Sequence, residues 1–158
     1  MNFLSKARTI EKLSPLLKKS KVLPVFIFNI ESFKSRRLEL LEKIQEFFSE
    51  DLLIVRSSAC DEDTDESSKA GHFESVLNVE RLDNQKLFDA INKVISSFDY
   101  NQKNEIFIQP MLQKMKICGV GFTSDIDTLA PYYIINYDDF GSPDLVTSGR
   151  KGNLKTFV

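Results

Sequence analysis

The chain has 158 residues, 42% of them hydrophobic and 28% charged, with a formal net charge of −2. That length suits one domain or part of one with a real core, and the charge balance excludes the basic footprint of a nucleic-acid-binding protein. No apolar run approaches the ~20 residues that span a bilayer, so no membrane segment is expected.

The N-terminus MNFLSKARTIEKL lacks the apolar core of a secretory signal. Cys60 and Cys118 stand far apart, with no Cys-x-x-Cys or Cys/His cluster. The expectation is a cytoplasmic protein with two free thiols and no zinc site.

In chain order, residues Phe3 to Lys19 read as a helix, with Leu4, Ile10, Leu13 and Leu17 at loosely helical spacing and Pro15 marking a break or late turn. Val22 to Phe28 (VLPVFIF) reads as a short strand whose Pro24 suits an early or edge position. Ser32 to Ser49 has helical periodicity, with Phe33, Leu40, Leu41, Ile44, Phe47 and Phe48 on one stripe. Leu52 to Val55 reads as a buried strand, Ser57 to Ala70 as a loop, and His72 to Val79 as an alternating strand. Asp83 to Phe98 is a second amphipathic helix capped by Asp83, with Leu87, Phe88, Ile91, Val94, Ile95 and Phe98 on one face. After Glu105 the runs IFIQPML, ICGVGFTS, PYYIINYDD, DLVTSG and NLKTFV are short, strand-like and separated by turn signals.

The pattern predicts an α+β fold with a mixed or antiparallel sheet and two or three packed helices. Residues 1–100 form a helix and strand lobe, and residues 105–158 a strand-rich segment. Because the last residues read as strand, that segment looks cut short at its C-terminus and the chain looks like a truncated fragment.

Three features resemble known sites and fail on inspection. Asp61-Glu62-Asp63-Thr64-Asp65 opens like a calcium loop, but the Gly and Glu required at its sixth and twelfth positions are Glu66 and His72. Gly119-Val120-Gly121 supplies two glycines of a GxGxxG run, but Ser124 replaces the third and no helix follows. It reads as a strand or turn that needs small residues. His72, the single histidine, has no cluster of partners for a metal and no spacing that argues a nucleophilic triad.

The stretch Leu53 to Val79 carries the chemistry. An apolar strand delivers Arg56 to its polar end, and a guanidinium forks onto phosphate oxygens. Ser57 and Ser58 supply hydroxyls beside it. Ala70-Gly71 allows backbone N–H groups to approach an anion closely, and Ser75 adds another hydroxyl. The alternative is an ordinary ion pair between Arg56 and the acidic segment that follows it.

The run VRSSACDEDTDESSKAGHFESVLNV resembles the nucleotide-binding signature of the pyruvate phosphate dikinase and phosphoenolpyruvate synthase family. Three further blocks agree in order: LSKARTIEKL before VLPVFIF, IFIQPMLQKMKICGVGFTSDIDT, and INYDDFGSPDLVTSG. The resemblance implies an ATP-grasp first lobe, in a family that holds ATP between two α+β lobes. It makes Lys6 the N-terminal phosphate-contacting lysine and Arg56 the phosphate clamp. Gly71, His72 and Ser75 would belong to the loop over the phosphates, and Gln109 and Met111 to the hinge near the adenine.

Departures from the family pattern are Leu4-Ser5 where two glycines precede the lysine, His72 where Gln is common, and Ser142-Pro143-Asp144 where Leu-Gly-Glu is usual. INYDD and VTSG are similar to a divergent branch that includes the capsule-associated glutamine kinase. The resemblance implies an ATP-dependent phosphotransferase that converts ATP to AMP. The β-phosphate would pass through a carrier histidine, in another domain of the full-length chain, to a small-molecule acceptor such as pyruvate or glutamine. Ligands for Mg2+, the family's Gln-x-Arg pair and the carrier histidine are expected outside these residues, so the fragment alone is expected to be inactive. Two rival readings are a degenerate, non-catalytic nucleotide-binding or regulatory module and a plain α+β interaction domain.

Overall fold

The computed structural model describes residues 5–58, 63–64, 67–68, 74–98, 104–125, 127–139 and 154–158. The chain divides into two units, Met1–Met111 and Leu112–Val158.

The first unit is built on a four-stranded sheet of β1 (Phe26–Asn29), β2 (Leu52–Ser58), β5 (Ser75–Glu80) and β6 (Glu105–Pro110). Its order is β1-β6-β2-β5, and every neighbouring pair is antiparallel. The late strand β6 therefore fills the gap between β1 and β2. β1 is an edge strand, so the nearby Pro24 costs the ladder no hydrogen bond. Two-residue strands β3 (Asp63–Thr64) and β4 (Ser67–Ser68) pair with each other between β2 and β5. This corrects the expected uninterrupted loop over Ser57 to Ala70.

Helices α2 (Ile30–Ser35), α3 (Arg37–Phe47) and α4 (Asn84–Ser96) contribute to one core with the sheet. The single helix expected over Ser32 to Ser49 is two. Asn29 caps α2 by accepting from the Ser32 N–H at 2.8 Å, and Arg36 leaves helical geometry at φ −135° and ψ 43°. The Ser35 hydroxyl bonds back to the carbonyls of Glu31 and Ser32, which competes with continuation of the helix.

The core is the predicted one in most of its members. Phe33, Leu40, Leu41, Ile44 and Phe48 are buried from α2, α3 and the end of α3, and Leu87, Ile91 and Val94 from α4. Phe47 is half exposed, with its ring 5.4 Å from Phe26 and 4.8 Å from Phe48. Beneath the helices lie Leu53 and Val55 of β2 and Ile106 and Ile108 of β6, all at 0% exposure. Burying each such side chain stabilises the unit by roughly 1.5–3 kcal/mol.

The pairing of β2 with β5 shifts between Leu53 and Val55. Leu53 faces Val79 and Val55 faces Val76, so two residues of β5, Leu77 and Asn78, stand against Ile54. Asn78 takes the left-handed conformation, φ 55°, which asparagine tolerates better than most residues. The bulge turns both Val76 and Val79 toward the core and leaves Leu77 46% exposed. Simple alternation through Leu77 therefore fails.

Helix α1 (Lys6–Leu13) continues into a 3-10 turn, Ser14–Leu16, that has Pro15 near its start. This is the late turn expected from the proline.

The second unit is a three-stranded antiparallel sheet, β7 (Cys118–Phe122), β8 (Ile134–Asp138) and β9 (Lys155–Phe157), with β8 in the middle. Gly119 and Gly121 lie in β7. A Cβ at Gly119 would come within 2.9 Å of the Asn136 carbonyl oxygen and 3.0 Å of the Tyr137 Cβ, whereas one at Gly121 meets nothing within 4 Å. Of the two glycines that resembled a dinucleotide loop, Gly119 is thus needed for strand packing. The Asp125 carboxylate organises the turn after β7, accepting from the N–H groups of Asp127 and Thr128 and from the Thr128 hydroxyl. The expected strand DLVTSG lies outside the described residues.

Candidate functional site

The pleat assigns each residue of β2 to a face. Leu53 and Val55 enter the core, so Ile54, Arg56 and Ser58 belong to the opposite face. Register then aligns Ile27, Phe107, Arg56 and Ser75 across β1, β6, β2 and β5 as one row. A second row places Glu105 beside Ser58, and a third places Gln109 beside Ile54.

Arg56 does not stand at the mouth of its strand, as expected, because β2 runs on to Ser58. Arg56 is partly exposed on the two-sided central strand β2, and its guanidinium carbon lies 5.5 Å from the centroid of the Phe107 ring. Phe107 is fully buried yet outside the helical core, so it floors this second face. An aromatic floor steadies a guanidinium without neutralising it. Ser75, exposed on edge strand β5, is the direct cross-strand neighbour of Arg56.

The two serines after Arg56 do not serve as open hydroxyls. Ser57 is 7% exposed and pairs in register with the core residue Ile106. Ser58 is 0% exposed, and its hydroxyl accepts the Ala7 N–H of α1 at 3.0 Å. Ser58 thereby ties α1 to the sheet.

Lys6 is the exposed first residue of α1. The helix is capped by Ser5, whose hydroxyl accepts the Arg8 N–H at 3.3 Å and donates to Glu105 Oε2 at 2.6 Å. The other carboxylate oxygen of Glu105 accepts from Arg8 Nε at 2.8 Å. The Thr9 N–H bonds the Ser5 carbonyl at 2.8 Å. The amides of Ala7, Arg8 and Thr9 are therefore consumed within the protein.

Gln109, at 8% exposure, pairs with Ile54, and Pro110 ends β6 opposite Leu53. Met111 is partly buried, and its N–H donates to the Leu52 carbonyl at 2.8 Å, fixing the chain where the first unit ends. Lys6, Arg56, Ser75, Gln109 and Met111 thus all belong to the first unit. Gly71 and His72 lie outside the described residues, as do Cys60 and most of the acidic segment. Cys118 is a free thiol.

Sequence reasoning missed Glu105 and Phe107. The signal for Glu105 was a lone carboxylate at the head of the apolar run EIFIQP, a costly position unless it has partners.

A surface groove of about 560 Å3 lies at the turn from β5 to α4, lined by Asp51, Glu80, Arg81, Leu82, Asp83, Asn84 and Gln85. None of these is a predicted site residue. Its Arg81 donates to the carbonyls of Glu50 and Gln45, and Asp83 caps α4, so these groups serve the fold. Among the described residues no three His, Cys, Asp or Glu side chains converge. Among the described residues no helix is long and apolar enough to cross a membrane.

Comparison with curated proteins gives no match. The family model of the pyruvate phosphate dikinase AMP/ATP-binding domain matches residues 7–153, a span that includes Arg56, Gly71, His72, Ser75, Gln109 and Met111 and starts one residue after Lys6. A match over most of the chain, on a small antiparallel α+β frame, shows that this chain belongs to the family of pyruvate phosphate dikinase AMP/ATP-binding domains.

Proposed function

We propose that this chain is the ATP-binding first part of a phosphotransferase of the ATP-grasp type, in which Lys6 and Arg56 hold the phosphates of ATP. The observation that carries the reading is the row Phe107–Arg56–Ser75 on the sheet face opposite the helical core. It sets a forked cation and a hydroxyl side by side over an aromatic floor. The tying of α1 to the same strands through Ser58 and Glu105 supports a shared role for Lys6.

In this reading the chain's own residues bind and orient the nucleotide. Arg56 forks onto phosphate oxygens, Lys6 adds a compact charge, and Ser75 donates from the edge strand. Gly71 and His72 extend the phosphate loop, while Gln109 and Met111 face the base. Transfer of the β-phosphate, with AMP as product, then depends on positioning and charge neutralisation. The carrier histidine, the magnesium ligands and the acceptor, pyruvate or glutamine in class, belong to other parts of a cytoplasmic full-length enzyme. The runs INYDD and VTSG favour the divergent capsule-associated branch, whereas Leu4-Ser5 and His72, where the family has two glycines and Gln, favour the rival degenerate module.

The test is AMP formation from ATP by the full-length protein and its Arg56→Ala variant. Loss of AMP formation in the variant is expected. Full activity in that variant would overturn the assignment, and no ATP binding by wild-type protein in calorimetry would favour a degenerate regulatory module instead.

A further inference from the structure

Lys6 is flanked by two residues that are each anchored to the sheet by a different strand. On its N-terminal side, the Ser5 hydroxyl donates to Glu105 of β6 at 2.6 Å. On its C-terminal side, the buried Ala7 N–H donates to the Ser58 hydroxyl of β2 at 3.0 Å. Glu105 and Ser58 are themselves partners in the β2–β6 ladder. Glu105 reaches one turn further and holds Arg8 through its second oxygen at 2.8 Å.

A lysine alone is a flexible point charge, and fixing its backbone is how a protein limits where that charge can go. Two strand residues hold both neighbours of this lysine. One of them, Ser58, lies two positions beyond Arg56 on the same strand and the same face. The clasp therefore references Lys6 and Arg56 to one rigid element.

We propose that Glu105 and Ser58 are positioning residues that set Lys6 against the phosphate-binding face, acting through Ser5 and Ala7 without touching the nucleotide. The proposal rests on the reading that Lys6 contacts phosphate. It also gives the second serine of the Arg-Ser-Ser run a task distinct from ligand contact. Glu105 is only partly exposed, with 14% of its side chain accessible, and accepts from both Ser5 and Arg8. Replacing it leaves two donors to find water and frees the first turn of α1.

A double-mutant cycle on MgATP affinity, measured by calorimetry with the full-length protein, separates positioning from general loosening. Glu105→Ala is expected to weaken binding about tenfold, the scale of one hydrogen bond to a charged group. In a Lys6→Ala background the same change is expected to cost less than about twofold, since nothing is left to position. Arg8→Ala, on a side chain that is 44% exposed, removes one arm of the clasp without emptying a buried site, and a loss of a few-fold is expected. It serves as the second variant if Glu105→Ala folds poorly.

Equal losses with and without Lys6 would overturn the proposal, as would wild-type affinity in both Glu105→Ala and Arg8→Ala. Wild-type affinity in Lys6→Ala would overturn the Lys6 reading and the clasp with it. A loss in Lys6→Ala without one in the clasp variants would overturn the clasp alone.

Discussion

Leu53 and Val55 disappear beneath three helices, while Ile54, Arg56 and Ser58 of the same strand face the other way. One face of the sheet is a hydrocarbon contact and the other is a row of cation, hydroxyl and aromatic floor. The two jobs alternate residue by residue along β2, because successive side chains of a strand point to opposite sides. Neighbouring substitutions should therefore give opposite signatures, one in stability and the other in ligand affinity.

The largest effect is expected on the helical face. Leu53→Ala removes a fully buried side chain from the middle of the core. A loss of about 2–5 kcal/mol in unfolding free energy is expected from urea titration, the range for large-to-small changes in well-packed cores. ATP binding should fall only as far as the folded fraction falls. A specific loss of affinity in fully folded Leu53→Ala protein would break the division between the faces.

Three residues along the strand the expectation reverses. Arg56→Ala should weaken ATP binding by roughly 1.5–3 kcal/mol, the cost of losing hydrogen bonds to a charged group. The cation–π contact with Phe107 contributes about 0.5–1 kcal/mol at a partly exposed site, and the ATP-affinity loss should stand out against it in fully folded protein. Arg56→Lys keeps the charge and loses the fork, so it should recover part of the affinity. Equal affinity in Arg56→Lys and wild type would show that charge alone matters.

Ser58→Ala tests where the faces meet, because this serine is on the Arg56 face and yet fully buried. The substitution strands the Ala7 N–H away from water. A cost of about 1–3 kcal/mol is expected from that orphaned donor, seen as a lower denaturation midpoint. Proteolysis should find the α1 segment opened first, since this bond ties the helix to the sheet. An unchanged midpoint would mean that water replaces the serine.

These signatures also mark what the sequence disclosed. The core residues of α3 and α4 were legible because apolar side chains recur with the helical period. The cap at Asp83 was legible because its side chain and position together name it. The break at Arg36 was not, since it arises from Ser35 bonding back to its own helix. The bulge at Leu77 and Asn78 was hidden for a similar reason: alternation assumes an unbroken ladder. Arg56 and Ser75 could be picked out as a chemical pair, and the family match spans both. That they stand side by side depends on the register of β2 with β5. Ser58 and Glu105 were opaque because their partners lie 51 and 97–100 residues away in sequence.

The smallest effect belongs to the helical face and is set by pH. The Asp83 carboxylate accepts from the Lys86 and Gln85 N–H groups at 3.0 Å each, and Lys86 Nζ stands 3.7 Å away, itself paired with Glu80 at 2.6 Å. The Lys86 N–H leads the interactions that hold the Asp83 carboxyl below its ordinary value of 3.8. A carboxylate depressed in the folded state stabilises it above the unfolded value, and that contribution fades as pH falls through the folded value. Asp83→Ser keeps a capping oxygen that does not titrate. Wild type should therefore lose more stability than Asp83→Ser between neutral pH and pH below 3.8, measured by urea unfolding at each pH. At neutral pH the two proteins should bind ATP equally, because α4 packs against the face that Arg56 turns away from. A parallel pH response in both would remove Asp83 from the account. Unequal ATP binding would join the two faces that the alternation of β2 keeps apart.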